Sequence, residues 1–340
     1  MDWQTYSDKF QIKAREAQFG EDDIDKCLQY ASNLFSKDLP IIYDQRHLSL
    51  LVGYDERFLI KISNSSGRFY RNFKIPKKSG GQREIAEPLP SLKEIQGWIL
   101  NEILYKCSVS RFAKAYVPGR SIKENARFHA KQNVVLTIDI EDFFGSIKFG
   151  KILAFYRNLG YSKPVAVMLA NLSCLNGCLP QGAPTSPALS NLVTLRLDYR
   201  IFGFSRKYKI RYTRYADDLT FSGDFEPGMV IKFVRQVLND EKLQINEDKI
   251  RARYQHQRQE VTGVVVNRKL QAPRELRRSL RQAVYFIEKY GLASHLQATE
   301  NQRANHIKHL LGIANFILFI NPKDGETQKY AETLKRYLHD

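Results

Sequence analysis

Cysteine is scarce in this chain, four residues among 340, and the four (Cys27, Cys107, Cys174 and Cys178) are scattered. Cys174 and Cys178 are four apart and are expected on one helix face; with no other ligand clustered beside them they read as buried thiols rather than a zinc site. A reduced, cytoplasmic setting is the expectation. Long apolar runs are missing too. The longest near the C-terminus, residues 310–320, is too short and too interrupted to span a bilayer and reads as a core helix. Residues 1–20 are polar and charged, without the apolar stretch of a secretory leader. Acids are in deficit: 36 Asp and Glu stand against 53 Lys and Arg, a formal charge of +17. Such a field attracts polyanions and speeds their encounter, without separating RNA, DNA and acidic membrane. Aromatics make up 12% of residues, enough for base-stacking positions, and the length suits two or three subdomains.

Against this basic background stands Tyr215-Ala216-Asp217-Asp218, two adjacent acids inside a strand-like run, residues 210–221. A polar hairpin turn is the bland reading. Residues 134–140, Val-Val-Leu-Thr-Ile-Asp-Ile, weigh against it: they read as a buried strand with Asp139 near its end. A lone buried Asp is costly, and a cation removes the cost. Magnesium prefers oxygen ligands and keeps waters and substrate phosphates. Three converging carboxylates can hold two such ions, roughly 3.5–4 Å apart, one activating a 3′ hydroxyl and one steadying pyrophosphate.

Further blocks follow in order. Residues 75–85 are Ile-Pro-Lys-Lys-Ser-Gly-Gly-Gln-Arg-Glu-Ile; residues 137–144 hold the first aspartate; residues 179–187 are Leu-Pro-Gln-Gly-Ala-Pro-Thr-Ser-Pro; residues 243–249 end in a lysine. Over residues 73–267 the chain resembles the reverse transcriptases. Asn125-Ala126-Arg127-Phe128-His129 and Val261-Thr262-Gly263 match the NAxxH and VTG patterns of the retron type, in the expected places. A satisfied helical histidine and a turn glycine are the plain readings of those two strings, and the residues suggest no chemical role for them.

The resemblance implies an α+β right-hand polymerase: fingers, a palm with an antiparallel sheet packed on helices, and a short all-helical thumb. The implied division is a helical extension (1–38), fingers (39–132), palm (133–267) and an RNA-binding thumb (268–340). It implies metal ligation by Asp139, Ile140, Asp217 and Asp218, with two Mg2+ ions. Lys249 is then a general acid toward pyrophosphate, or a surface lysine. Lys77, Arg83, Phe144, Gln181 and Gly182 would bind the nucleotide. Lys77, Lys78 and Arg83 flank a Ser-Gly-Gly turn whose basic arms suit a triphosphate, with a solvated hairpin as the alternative. Phe144 would stack beneath the sugar and reject a 2′ hydroxyl, while Phe143 reads as core. Gly182 lets backbone approach the substrate. Arg274, Arg277, Arg278 and Arg281, with Glu275 the only acid among them, would contact RNA phosphates; a solvated face is the alternative. The implied reaction is RNA-templated DNA synthesis from deoxynucleoside triphosphates on a cognate noncoding RNA. The product is a branched RNA–DNA hybrid begun at a guanosine 2′ hydroxyl. Host ribonuclease H and a separate effector protein are the implied partners, in antiphage defence. Other bacterial reverse transcriptases (an intron maturase core, diversity-generating or abortive-infection types) and a non-catalytic RNA-binding scaffold that sequesters an effector remain open.

Locally, residues 2–38 read as helical and residues 39–90 as β-rich. Ser91 to Glu94 form a capping box opening a helix with Leu92, Ile95, Ile99 and Ile103 on one stripe. Ser186 and Pro187 start a helix reaching residue 199, and residues 260–266 join the palm sheet. Pro273 starts a helix carrying Leu276, Leu280, Val284 and Ile287 inward, with Gly291 as its stop.

Overall fold

Aspartates at positions 44 and 55 override the expected β-rich stretch. In the computed structural model the Asp44 carboxylate accepts from the His47 amide at 2.7 Å, and Asp55 accepts from the amides of Arg57 and Phe58. Each caps a helix, and Leu48, Leu59 and Ile62 are fully buried at helical spacing. Among the described residues, strand structure before residue 90 is confined to one hairpin. Residues 2–76, 80–299 and 305–338 are described; Lys77 and Lys78 lie outside them.

In chain order the elements are α1 (Trp3–Glu16), α2 (Glu21–Phe35), α3 (Gln45–Val52), α4 (Glu56–Asn64), strands β1 (Tyr70–Pro76) and β2 (Gln82–Pro88), α5 (Pro90–Glu102), α6 (Ile122–Phe128) and β3 (Val134–Asp139). Then come α7 (Phe143–Ser146), α8 (Phe149–Leu159), α9 (Lys163–Ser173), α10 (Thr185–Val193), α11 (Leu195–Lys207), β4 (Arg211–Tyr215) and β5 (Asp218–Gly223). The rest is α12 (Pro227–Asp240), β6 (Arg251–Tyr254), β7 (Glu260–Val261), β8 (Val264–Val265), α13 (Arg274–Ala298), α14 (His306–Ile320) and α15 (Gly325–Arg336). Two compact units alternate along the chain. One comprises Met1–Val117, Ile140–Arg200 and Gln236–Gln244; the other comprises Pro118–Asp139, Ile201–Arg235 and Ile245–Asp340.

In the first unit β1 and β2 pair antiparallel from Tyr70↔Pro88 to Pro76↔Gln82. Helix α5 starts at Pro90 after Leu89, so the Ser91–Glu94 box does not form; Glu94 instead accepts from the Tyr54 hydroxyl at 2.5 Å. Proline pre-sets the first helical φ and lacks only an amide that would be orphaned there. Leu92, Ile95, Ile99 and Ile103 are buried as expected. Helix α10 likewise starts at Thr185, ahead of Ser186. The expected single helix to residue 199 is broken after Val193, where the Thr194 hydroxyl donates back to the Ser190 carbonyl at 2.7 Å. Cys174 and Cys178 do not share a helix: α9 ends at Ser173, and Leu175 and Cys178 close a tight turn by mutual backbone bonds. Burial pushes the Cys174 thiol up to about 12, so it stays protonated.

The second unit is built on a four-stranded antiparallel sheet in the order β4-β5-β3-β6. β3 is central and buried along its length, which explains its unbroken apolar run. Residues 260–266 do not join this sheet. They form a separate hairpin, β7 with β8, turning at Thr262 (φ 47°) and Gly263 (φ 80°). Two successive positive φ values are those of a type I′ turn. The C-terminal helices pack on one another through Leu280, Val284, Ile287, Leu310, Ala314, Ile317 and Leu334, with Leu276 partly buried beside them. Gly291 (φ 82°, ψ 160°) has non-helical backbone and stops the first helical stretch of α13 as expected; a second stretch follows across the kink. No helix among the described residues is long and apolar enough to cross a membrane. Ile287→Ala should cost about 2–5 kcal/mol of stability through the cavity it leaves, read as a lowered urea midpoint at unchanged slope.

Candidate active site

Strand β5 lies between β4 and β3, so Asp218 has Tyr215 opposite it on one side and Asp139 on the other. Like charges directly opposite one another in an antiparallel pair repel. Asp217 sits in the two-residue loop that joins β4 to β5. Its neighbour Ala216 has φ 57°, a left-handed conformation that costs a residue with a side chain. The fully buried Arg214 donates from Nη1 to the Ala216 carbonyl at 3.2 Å, bracing the turn. Asp139 is 8% exposed. The half-exposed Lys249 holds both its oxygens at 3.0 Å, and the Asn246 amide donates to its carbonyl at 2.9 Å.

The electrostatic consequence falls on Asp218. Burial, then Asp217 and Asp139, push its carboxyl up to about 7, with Lys249 pulling the other way. Three carboxyls are thus crowded at one end of the sheet, and Asp218 holds its proton more tightly for it. Among the described residues no three acidic, histidine or cysteine side chains are already closed around a metal position. An all-carboxylate donor set nonetheless fits a hard divalent cation.

In the first unit, Arg83 is exposed on β2 and forms no ion pair with a described residue. The Gln181 carbonyl accepts from the Ala86 amide at 2.9 Å, which binds the loop to that same strand. Gly182, at φ 133°, would place a Cβ 2.6 Å from the Ala86 carbonyl oxygen. The close approach it permits is thus to β2. Phe144 is half-buried, its ring 6.4 Å from that of Tyr116, while Phe143 is core as expected.

The family described as reverse transcriptase (RNA-dependent DNA polymerase) matches residues 75–266. The Retron Mx65 reverse transcriptase of Myxococcus xanthus is 37% identical over 299 residues, covering 82% of this chain and 68% of that one. The Retron Ec86 reverse transcriptase of Escherichia coli is 34% identical over 259 residues, 75% of this chain and 77% of the relative. The Retron Ec83 reverse transcriptase of Escherichia coli is 31% identical over 306 residues, 82% and 94%. The chain belongs to the retron-type reverse transcriptases. It is an RNA-directed DNA polymerase, and its mix of helices and antiparallel sheet is the reverse-transcriptase fold.

The two strings that mark the retron type meet in the second unit. Asn125, Ala126 and His129 are fully buried on and beside α6. Asn125 reaches Thr262 at 3.5 Å and Thr213 at 2.6 Å; His129 reaches Thr213 and Ser222, both at 2.7 Å. Val261 packs with Ala126, and Gly263 completes the turn. Thr213, Arg214 and Ser222 escaped sequence reading; the only signal was polarity at inward-facing positions of β4 and β5. In this retron-type enzyme the four arginines of α13 separate. Arg274, Arg278 and Arg281 are exposed. Arg277 is half-buried, its Nη1 3.9 Å from Asp324, whose carboxylate caps α15. Positions 274, 278, 281, 285 and 289 fall on one helical face, opposite the buried Leu280, Val284 and Ile287. That face adds Tyr285 and Lys289, with exposed Phe286 and Tyr290 beside it.

The raised Asp218 pKa has a thermodynamic signature. Its ordinary value is 3.8, so the folded state binds the proton more tightly than the unfolded chain. Stability from this group is complete below about 4 and is lost as pH rises to about 7. Asp218→Asn should therefore raise the metal-free Tm at pH 8, with the gain shrinking as pH falls toward 4. Calorimetry across that range checks the sign; an equal gain at both ends would remove the charge argument.

Proposed function

We propose that this enzyme copies a cognate structured noncoding RNA into DNA from deoxynucleoside triphosphates, using two Mg2+ ions held by Asp139, the Ile140 carbonyl, Asp217 and Asp218. The observation that carries this is the register that sets Asp139 against Asp218, with a carboxyl raised to about 7. When bound, the ions supply the positive charge that readies the attacking hydroxyl and steadies the leaving pyrophosphate. The protein's own groups do the rest. Lys249, half-exposed on a short turn, delivers a proton to the departing pyrophosphate. Arg83 takes a nucleotide phosphate, with Lys77 as a second cation toward it. Gln181 and Gly182 hold the nucleotide's edge of the loop, and Phe144 packs under the sugar and rejects a 2′ hydroxyl.

The RNA reading rests on α13. Arg274, Arg278 and Arg281 take phosphates, and Tyr285 with its aromatic neighbours offers stacking faces for unpaired bases. Lys289 already lies 5.5 and 5.2 Å from the Tyr285 and Tyr290 ring centres, a cation poised among them. Arg277 is better read as holding the start of α15. In the division that supports this reading, residues 1–38 are a helical extension, 39–132 fingers, 133–267 palm and 268–340 thumb. The similarity to several retron enzymes, one covered over 94% of its length, supports the finer points. Synthesis starts at a guanosine 2′ hydroxyl of the cytoplasmic RNA and leaves a branched hybrid. Host ribonuclease H trims the template, and a separate effector protein uses the complex in antiphage defence.

Asp217→Asn should reduce primer extension by several orders of magnitude while RNA affinity stays within about twofold; wild-type extension by that variant would refute the metal assignment. Replacing Arg278 and Arg281 together by Ala should weaken RNA binding and lower the salt slope by about 2, one for each lost phosphate contact. An unchanged slope would put the RNA elsewhere.

A further inference from the structure

The Asn125–His129 and Val261–Gly263 strings have no chemistry of their own, yet their side chains converge beneath the hairpin that carries Asp217 and Asp218. His129 is fully buried and touches both strands of that hairpin, Thr213 of β4 through Nε2 and Ser222 of β5 through Nδ1, each at 2.7 Å. The proton order follows from the ends of the chain of bonds. The Thr213 hydroxyl donates to Asn125 Oδ1 at 2.6 Å, an atom that only accepts. Thr213 Oγ1 must then accept from a protonated Nε2, while Nδ1 shares a hydrogen bond with the Ser222 hydroxyl. Asn125 Nδ2 continues the relay to Thr262 Oγ1 at 3.5 Å. Thr262 is a β-branched residue held at φ 47° in a type I′ turn, a strained conformation retained only where its surroundings dictate it.

An apolar layer anchors this relay. Ala126, Val261, Val264 and Val266 pack with Val135 of β3 and Ile320 of α14. The hairpin's tip needs such a hold, because the side chains of two acids, Asp139 and Asp218, stand opposite one another across β3 and β5 and Ala216 is strained. We propose that the Asn125–His129 and Val261–Gly263 motifs form a buried positioning device: the relay Ser222–His129–Thr213–Asn125–Thr262 fixes the two strands of the hairpin against α6 and the β7–β8 turn, and so sets where Asp217 and Asp218 stand. These are positioning residues, not catalytic ones. Asn125, His129, Thr213 and Ser222 are 0–1% exposed, so RNA does not reach them. This rests on the reading of Asp217 and Asp218 as catalytic.

Thr213→Val keeps the shape and removes the hydroxyl; Thr213→Ser keeps the hydroxyl. Single-nucleotide incorporation by the full-length protein on its RNA should show kcat falling by about tenfold or more in the valine variant, as a small misplacement of reacting groups does. The KM for nucleotide and the Kd for RNA should stay within about twofold, and the serine variant should recover most of the rate. Tyr156→Phe removes an equally buried hydroxyl bond to Ser173, in the first unit, and should leave kcat unchanged. A loss of RNA affinity at constant kcat in Thr213→Val, or kcat falling in step with Tm in both Thr213→Val and Tyr156→Phe, would overturn the proposal. Should Thr213→Val not fold, Ser222→Ala and His129→Gln replace it, and their effects on kcat must be non-additive because both release the same ring; additive effects would overturn it. Full extension by Asp217→Asn would instead overturn the catalytic reading itself, a result separable from any of these.

Discussion

The fold of the second unit is arranged around a repulsion. Register places Asp139 directly across from Asp218, and Asp217 follows one residue earlier in the turn. Isolated, this would favour strand separation at the open end of the sheet. Several features oppose it. β3 is flanked on both sides by paired strands, the Asn246 amide ties the following turn to the Asp139 carbonyl, and Lys249 spans both Asp139 oxygens. Burial first, and then the neighbouring carboxyls, leave Asp218 with a raised pKa. A site that keeps such a residue sacrifices metal-free stability for affinity toward a cation, the usual sign of function over stability.

The same tension explains why the surrounding polar groups are buried rather than exposed. A hairpin held only by its backbone ladder could slide or splay at its tip. His129 grips it through side chains on both strands, and each hydroxyl of the relay has its partner. Buried networks of this kind favour one arrangement when fully satisfied and penalise departures from it. Arg214 acts on the turn itself, through the Ala216 carbonyl. Neither group needs to approach a substrate to matter.

How much of this was legible beforehand depends on whether the controlling interaction is local. The β3 run, the β4–β5 hairpin, α13 and the buried stripe of α5 follow from periodicity within a few residues, and the structure bears them out. Misreadings cluster where caps decide. Asp44 and Asp55 start helices in a stretch read as β-rich, and Pro90 and Thr185 begin helices ahead of the serines that looked like caps. Residues 260–266 read as a strand of the large sheet. Thr262 and Gly263 instead turn the chain back on itself after two residues. The carboxylates were legible because two adjacent acids in a strand are conspicuous. Thr213 and Ser222 were not, because their partner, His129, lies 84 and 93 residues away in sequence.

The exposed and buried polar groups of the second unit therefore serve different demands. Along α13 the polar positions 274, 278, 281, 285 and 289 repeat outward at helical spacing, while Leu280, Val284 and Ile287 repeat inward. Charge on that outer face is inexpensive to keep and is weakened by salt, which suits a reversible hold on a polyanion. Polar groups beneath the hairpin sit where water is excluded, so each must be matched by another protein group or be lost. Substitution on the first face should consequently act one residue at a time, with graded effect. In the relay it is constrained as a set, because removing one hydroxyl strands its neighbours. That contrast separates the buried Asn125 and His129, which reach only other protein groups, from the outward residues of α13.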